Sequence, residues 1–273
     1  MAAKRVRVKG PGASVAGRPP ADELQLPELD RDAIRERETR DVQARLEPYL
    51  PKGWKEGTQP TAQQLAAAEK AAAMAAGIAD EAQAEADRLR KQRDHAALSL
   101  ALNDGVRAMF KVIGVNYSRW VRVRREATAG GGKVRRYPNA AEAVVRLAEQ
   151  VASLEARADA ALEIRDQMLL RLAVDAGQSY AHLAELIGKT ARLVAQRVIG
   201  LLWDQVRAEE DTCSICGEPI DKTLPSKRDE AFTVVYEVPP GRDQRLARDR
   251  HNMRAAHREC ARSAGAQEAA TGR

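Results

Sequence analysis

Aromatic side chains are scarce in this chain: two Phe, three Trp and five Tyr make up 4% of 273 residues. So few rings cannot fill one large globular core, and several small helical units on linkers are expected instead. Cysteine is almost as rare. The only three, Cys213, Cys216 and Cys260, are odd in number and cluster near the C-terminus, which excludes a disulfide framework and suits a metal site in a reducing compartment. Long hydrophobic runs are also missing. No apolar stretch reaches about 18 residues, and none follows the basic N-terminus, so neither a membrane span nor a secretory signal is expected and the chain reads as intracellular, that is cytoplasmic. Acid is absent from residues 1–20, which hold five basic residues among Pro and Gly. That segment is expected to be a disordered arm, either solvated or gripping phosphates.

What the chain has in quantity is Ala, Arg and Glu, with a net charge of +6 that favours a polyanionic partner without identifying one. Its expected organisation follows from composition shifts. Residues 21–60 read as a charged helix, from Pro27 to about Leu46, and a loop containing "PYLPKGW". Residues 61–126 hold a long Ala-rich helix, which Thr61 caps through "TAQQ", and a first small helical module. The helix outlasts an ordinary globular one, which suggests antiparallel coiled-coil material and a route to a homo-oligomer. Residues 127–138, with three consecutive glycines and Pro138, form a basic linker; 139–204 hold a second helix and module; 209–263 hold a metal module; 264–273 are a disordered tail.

The two modules are related. "RDHAALSLALNDG" (93–105) matches "RDQMLLRLAVDAG" (165–177) at an offset of 72, and "SRWVRVR" (118–124) matches "ARLVAQR" (191–197). In the second copy Ser179 and Thr190 are placed to cap two short helices, and Gly188 permits a sharp turn between them. Leu183, Ala184 and Ile187 on one helix, and Ala191, Val194, Ala195 and Val198 on the other, recur at helical spacing as a buried stripe. The stretch "SYAHLAELIGKTARLVAQRV" resembles the helix-turn-helix family over about twenty residues. The resemblance implies that Lys189, Thr190, Arg192, Gln196 and Arg197 face the major groove of double-stranded DNA. An ordinary helical hairpin would also keep that face polar. The first copy has Phe110 where a close crossing needs a small residue, and it contributes charge through Arg119, Arg122 and Arg124.

Cys213 and Cys216 form a "CSICG" knuckle, and His257 and Cys260 in "HREC" lie one helical turn apart. Together they offer four tetrahedral ligands to a structural zinc ion, with no thiol left over. Around them, "CSICGEPIDKTLPSKRDEAFTVVYEVPPG" and "HNMRAAHREC" resemble the cysteine-knuckle subgroup of the HNH nucleases, a ββα-metal fold, with a hairpin ending in "VP" and Asn252 in the final helix. Active members carry an Asp-His pair one residue before "VP", the Asp for a catalytic divalent ion and the His as general base. The matching positions here are Val235 and Tyr236. A valine cannot neutralise a cation, and a phenol with an ordinary pKa near 10 is a poor base at neutral pH. No second, catalytic metal is therefore expected. His251, Asn252 and Glu237 are the residual catalytic candidates, although Glu237 should point away from the Tyr236 face. The helix itself is expected to carry Arg248, Arg250, Arg254, Arg258 and Arg262 along a duplex backbone.

The expected fold class is therefore mainly α: long Ala-rich helices and two tandem helix-turn-helix-like modules, followed by a small zinc-bound ββα module. The expected function is a non-enzymatic, zinc-containing DNA-binding protein of bacterial or phage type. Two alternatives stay open, an active HNH-type metal-dependent endonuclease and a helical assembly protein that oligomerises through its Ala-rich helices.

Overall fold

The computed structural model describes residues 27–104, 121, 122, 125, 137, 139–241 and 244–271. The basic arm 1–20, most of the 127–138 linker, Phe110, Arg119, Trp120 and Arg124 lie outside the described residues. Arg122 is exposed. The chain divides into two compact units, one of residues 1–31 and 86–152, the other of 32–85 and 153–273.

Helices dominate the described residues. α1 spans Arg31–Leu46, α2 Ala62–Asp104, α3 Ala140–Val174, α4 Tyr180–Ile187 and α5 Ala191–Glu209. α2 starts where its capping box predicts: the Gln64 amide N–H donates to Thr61 Oγ1 at 3.2 Å, and the Thr61 N–H donates to Gln64 Oε1 at 3.0 Å. In the first unit, α2 and α3 bury Leu89, Leu98, Leu100, Val144, Leu147 and Val151. Ser99 Oγ there accepts the Tyr137 N–H at 2.7 Å.

The second unit contains the candidate sites. Glu38 on α1 is buried and is satisfied entirely by neighbours: Ser153 Oγ donates to Oε1 at 2.6 Å, Arg157 Nε to Oε2 at 2.9 Å and Arg37 to Oε1 at 3.1 Å. Burial alone would raise its pKa, but these donors outweigh it and hold the carboxyl below its usual 4.5. A depressed folded-state pKa adds stability that is complete above the unfolded value and is lost as pH falls through the folded one. Glu38→Gln should therefore lower the thermal midpoint at pH 7 and flatten its decline below pH 4.5; an unchanged acid limb in thermal melts would show that Glu38 contributes nothing to it.

α4 and α5 are joined as their caps predict. Ser179 Oγ accepts from the His182 N–H, Gly188 ends α4 in the left-handed conformation with φ +64°, and Thr190 Oγ1 accepts from the Leu193 N–H. The buried stripe of α5 differs from the expected one: it runs Val194, Val198, Leu202 and Val206, and Ala191 is exposed. Position 191 is the first helical residue and lies beyond the edge of the core, so its spacing alone did not place it.

Beyond α5 the chain folds into strand β1 (Phe232–Tyr236), short helix α6 (Gln244–Arg248), a 3-10 turn (Arg250–Asn252), strand β2 (Met253–His257) and helix α7 (Arg258–Thr271). β1 and β2 pair antiparallel, with Val235 opposite Arg254 and Tyr236 opposite Met253. This corrects the expected hairpin, which was to close before "VP". Residues 222–231 contain Pro225 and fold into turns and bends, so β1 takes its partner from 253–257, a stretch expected to be helical. Asn252 is accordingly in the turn ahead of β2, and α7 begins only after His257. α7 also continues to Thr271, where a disordered tail was expected from 264; its Ala-rich sequence sustains the helix.

One apolar core runs from α3, α4 and α5 into the strand pair and the knuckle, and a second cluster of Val42, Leu46, Ile78 and Ile164 lies in the same unit. Leu169 and Leu172 of α3, Leu183 of α4 and Val198, Leu202 and Val206 of α5 cluster with Cys213, Ile220, Val234, Met253, Ala255 and Ala256. The segments read as separate modules at 139–204 and 209–263 thus share their interior. Polar contacts reinforce it. Glu210 accepts the Ala255 N–H at 2.7 Å, and buried Arg248 donates to the carbonyls of Ala173 at 3.1 Å and Gln178 at 2.7 Å while lying over the Tyr180 ring. Arg248→Ala should cost about 2 kcal/mol by removing the donor to the buried Ala173 carbonyl and to the partly buried Gln178 carbonyl, readable in urea unfolding. A cost no larger than that of an exposed arginine would refute the role.

Candidate metal centre

The four ligand atoms of Cys213, Cys216, His257 and Cys260 lie within 4.8 Å of one another. Local folding brings them together. After α5 the chain turns back on itself: the Cys213 N–H donates to Glu218 O and the Gly217 N–H to Cys213 O, both at 2.9 Å, with Gly217 at φ +76°. This knuckle is sewn to β2 by the Ser214 N–H donating to Ala255 O at 2.9 Å. His257 ends β2, and Cys260 stands in the first turn of α7, whose opening N–H groups at Arg258 and Glu259 donate to Ala231 O and Asp229 O.

The geometry fits a tetrahedral ion. With Zn–S near 2.3 Å and Zn–N near 2.05 Å, ligand atoms at tetrahedral corners stand about 3.6 Å apart for S and N. His257 Nδ1 lies 3.3 Å from Cys216 Sγ and 3.9 Å from Cys260 Sγ. On the other side of the ring, Nε2 is 3.2 Å from the Pro219 carbonyl oxygen. Donation of Nε2–H to that carbonyl fixes the tautomer and leaves the Nδ1 lone pair toward the sulfurs, the outer contact a metal-bound histidine needs. Pro219 was not among the residues singled out in the sequence, because a carbonyl carries no residue-type signal.

The thiols are tuned unequally. Burial raises the Cys213 pKa, but backbone N–H groups of Cys216, His257 and Ile215 converge on it and bring it down to about 6. Cys260 is pushed up to about 11, first by desolvation and then by Cys216 and Cys213. A site that favours one thiolate and resists further negative charge is the electrostatic situation a divalent cation relieves. The strand pair, the flanking helix and this Cys3His cluster form a ββα-type module able to chelate a metal ion, consistent with structural zinc.

No second cluster of three or more His, Cys, Asp or Glu residues occurs among the described residues. Glu237 is exposed and pairs with Arg254 Nε at 2.8 Å, and His251 is exposed. Asn252 is buried and staples the loop, its amide donating to Val238 O at 2.8 Å and Leu246 O at 3.1 Å and its Oδ1 accepting the Val238 N–H at 2.7 Å. Val235 and Tyr236 are half-buried and pack against the apolar core.

The arginines expected along one helix are distributed instead. Arg248 is in α6 and Arg250 in the 3-10 turn, where it pairs with Glu209 at 2.6 Å and Glu210 at 3.1 Å. Arg254 is in β2; only Arg258 and Arg262 are on α7, donating to Ser226 O and pairing with Asp229 respectively. Insertion of β2 into the stretch breaks the assumed helical spacing.

On the α4–α5 pair, Lys189, Thr190, Arg192, Gln196 and Arg197 are all exposed. Two of them also serve the fold. Lys189 Nζ pairs with Asp80 of α2 at 2.8 Å, and Arg197 Nε donates to Asp166 Oδ2 at 2.7 Å. Asp166 is buried and shared with Arg165, whereas the Asp80 carboxylate is well exposed, so only the Arg197 pair is shielded from water. Arg197→Ala should cost about 2 kcal/mol in chemical denaturation, while Lys189→Ala should be close to neutral. Equal costs would contradict this assignment. No protein-family model, no curated protein and no solved structure matches the chain. Among the described residues no helix is long and apolar enough to cross a membrane.

Proposed function

We propose that this chain is a double-stranded DNA-binding protein that uses the α4–α5 pair as a helix-turn-helix reader and holds a structural zinc ion at Cys213, Cys216, His257 and Cys260. The observation that carries the reading is the exposed N-terminal half of α5, where Thr190, Arg192 and Gln196 project from a helix whose opposite face is locked into the core shared with the metal module. Arg and Gln are donors matched to guanine and adenine edges in the major groove. Lys189 can leave its exposed partner Asp80 for a phosphate at little cost, whereas Arg197 is retained by buried Asp166 and acts in support of the helix. The zinc ion closes the core beneath α5. It has no chemical step to perform, because its four ligands fill the coordination sphere.

The test is selection of bound fragments from random duplexes, with and without chelator, followed by sequencing and inspection for nicks. Recovered sequences should share a preference that the chelator abolishes, and the strands should be intact. Affinity should fall with salt at a slope near −0.9 per neutralised phosphate. Replacing Arg192 and Gln196 together with Ala should erase the sequence preference while leaving nonspecific binding largely in place. No binding at moderate salt, with concentration-dependent oligomers in its place, would favour an assembly role for the Ala-rich helices.

A further inference from the structure

The face of α5 opposite its buried stripe is not uniformly polar. Leu193 is 53% exposed, on a helix whose inward positions are already occupied by Val194, Val198, Leu202 and Val206. It borders an open recess of about 410 Å³ with Leu169 and Ile187 in its floor and Lys189, Gln196 and Arg197 at its rim. Leu193 and Gln196 are three residues apart, so they are neighbours on one helix surface. One turn further on that surface comes Gly200, where, among the described residues and apart from the helix's own backbone, nothing lies within 4 Å of where a Cβ would be. Glycine weakens a helix interior, and no packing among the described residues calls for it here. What it leaves is a surface another molecule can approach closely.

In the major groove, adenine offers an acceptor and a donor that a glutamine amide matches, and thymine offers its C5 methyl as the one apolar group on any base edge. An amide and an aliphatic side chain side by side on an exposed helix surface, within a cationic rim, complement an A·T pair. We propose that α5 selects A·T base pairs, with Gln196 bonding the adenine edge and Leu193 covering the thymine methyl. This rests on the DNA-binding reading above and assigns the base-pair class that the site takes. Lys189 flanks the pair of readers and supplies a phosphate contact, which is indifferent to sequence, while Arg192 faces a neighbouring base pair.

Deoxyuridine isolates the claim, because it keeps every hydrogen-bonding group of thymine and lacks only the methyl. Full-length, metal-loaded protein is titrated into three duplexes of equal length: one of A·T pairs, the same with deoxyuridine for thymine, and one of G·C pairs. The wild type should bind the A·T duplex more tightly than its deoxyuridine counterpart by about fourfold per covered methyl. Leu193→Ala, at an exposed position, should keep its thermal melt and salt slope but bind those two duplexes equally. Gln196→Ala should reduce the preference for A·T over G·C to the part that the methyl supplies and retain the full sensitivity to the methyl. Equal binding of the A·T and deoxyuridine duplexes by the wild type, or undiminished discrimination by Leu193→Ala, overturns the inference and leaves DNA binding standing. Failure to bind any duplex overturns the DNA reading itself. Dimers in the wild type that Leu193→Ala dissociates would give this face to a second copy of the chain, which also overturns the inference.

Discussion

Removal of the metal, by chelation or by Cys213→Ser, should lower the thermal midpoint of the second unit by on the order of 20 °C or more. Structural zinc in small modules contributes on the order of 10 kcal/mol, and each kcal/mol moves the midpoint of a domain this large by about 2–4 °C. The damage should not stop at the knuckle. Cys213 is buried in the same cluster as Leu202 and Val206 of α5, Val234 of β1 and Met253 of β2. Ser214 holds β2 through Ala255, and Ala255 in turn holds Glu210 at the end of α5. When the knuckle opens, these apolar groups meet water together. Amide exchange at 198–206 should therefore accelerate along with exchange at 213–220, and calorimetry should show one transition for both. Two separate transitions, with α5 unaffected by chelator, would mean that the metal module is an autonomous tail.

Features specified within a few residues were legible in the sequence. Thr61 with Gln64, Ser179, Gly188 and Thr190 all make the caps and turns their residue types dictate, because a cap is satisfied by its own helix. The gathering of Cys213, Cys216, His257 and Cys260 was legible for a related reason: a two-residue gap between cysteines and between His257 and Cys260 constrains the chain locally, whatever surrounds it. What depends on distant partners was not legible. "MRAAH" has ordinary helix propensity and becomes a strand only because β1 offers an edge and the core accepts Met253 and Ala255. Arg248 and Arg250 looked like surface charge, yet their acceptors, Ala173 O, Gln178 O, Glu209 and Glu210, are 40 or more residues away in sequence. Nor could spacing alone show that Arg197 is held by Asp166 while Arg192 projects into solvent.

Supercoiled plasmid incubated with the protein and Mg²⁺, Mn²⁺ or Ni²⁺ should remain uncut. On the sequence resemblance to the HNH nucleases, the positions for a catalytic ion and a general base hold Val235 and Tyr236, and both are half-buried against the apolar core. Loss of the base by itself removes about two to four orders of magnitude in rate, before the missing cation ligand is counted. The neighbouring groups do not rebuild the site. Glu237 is paired with Arg254, which stands opposite Val235 on β2, so a cation there would compete with a guanidinium 2.8 Å from the carboxylate. Asn252 has both ends of its amide engaged with the loop backbone. His251 is exposed and belongs to no cluster of three metal-binding side chains among the described residues. Cutting that vanished in His251→Ala or Glu237→Gln would make the protein a nuclease after all, since it would require these residues to gather an ion that Arg254 now excludes. Cutting that survived both changes would point to a co-purifying nuclease.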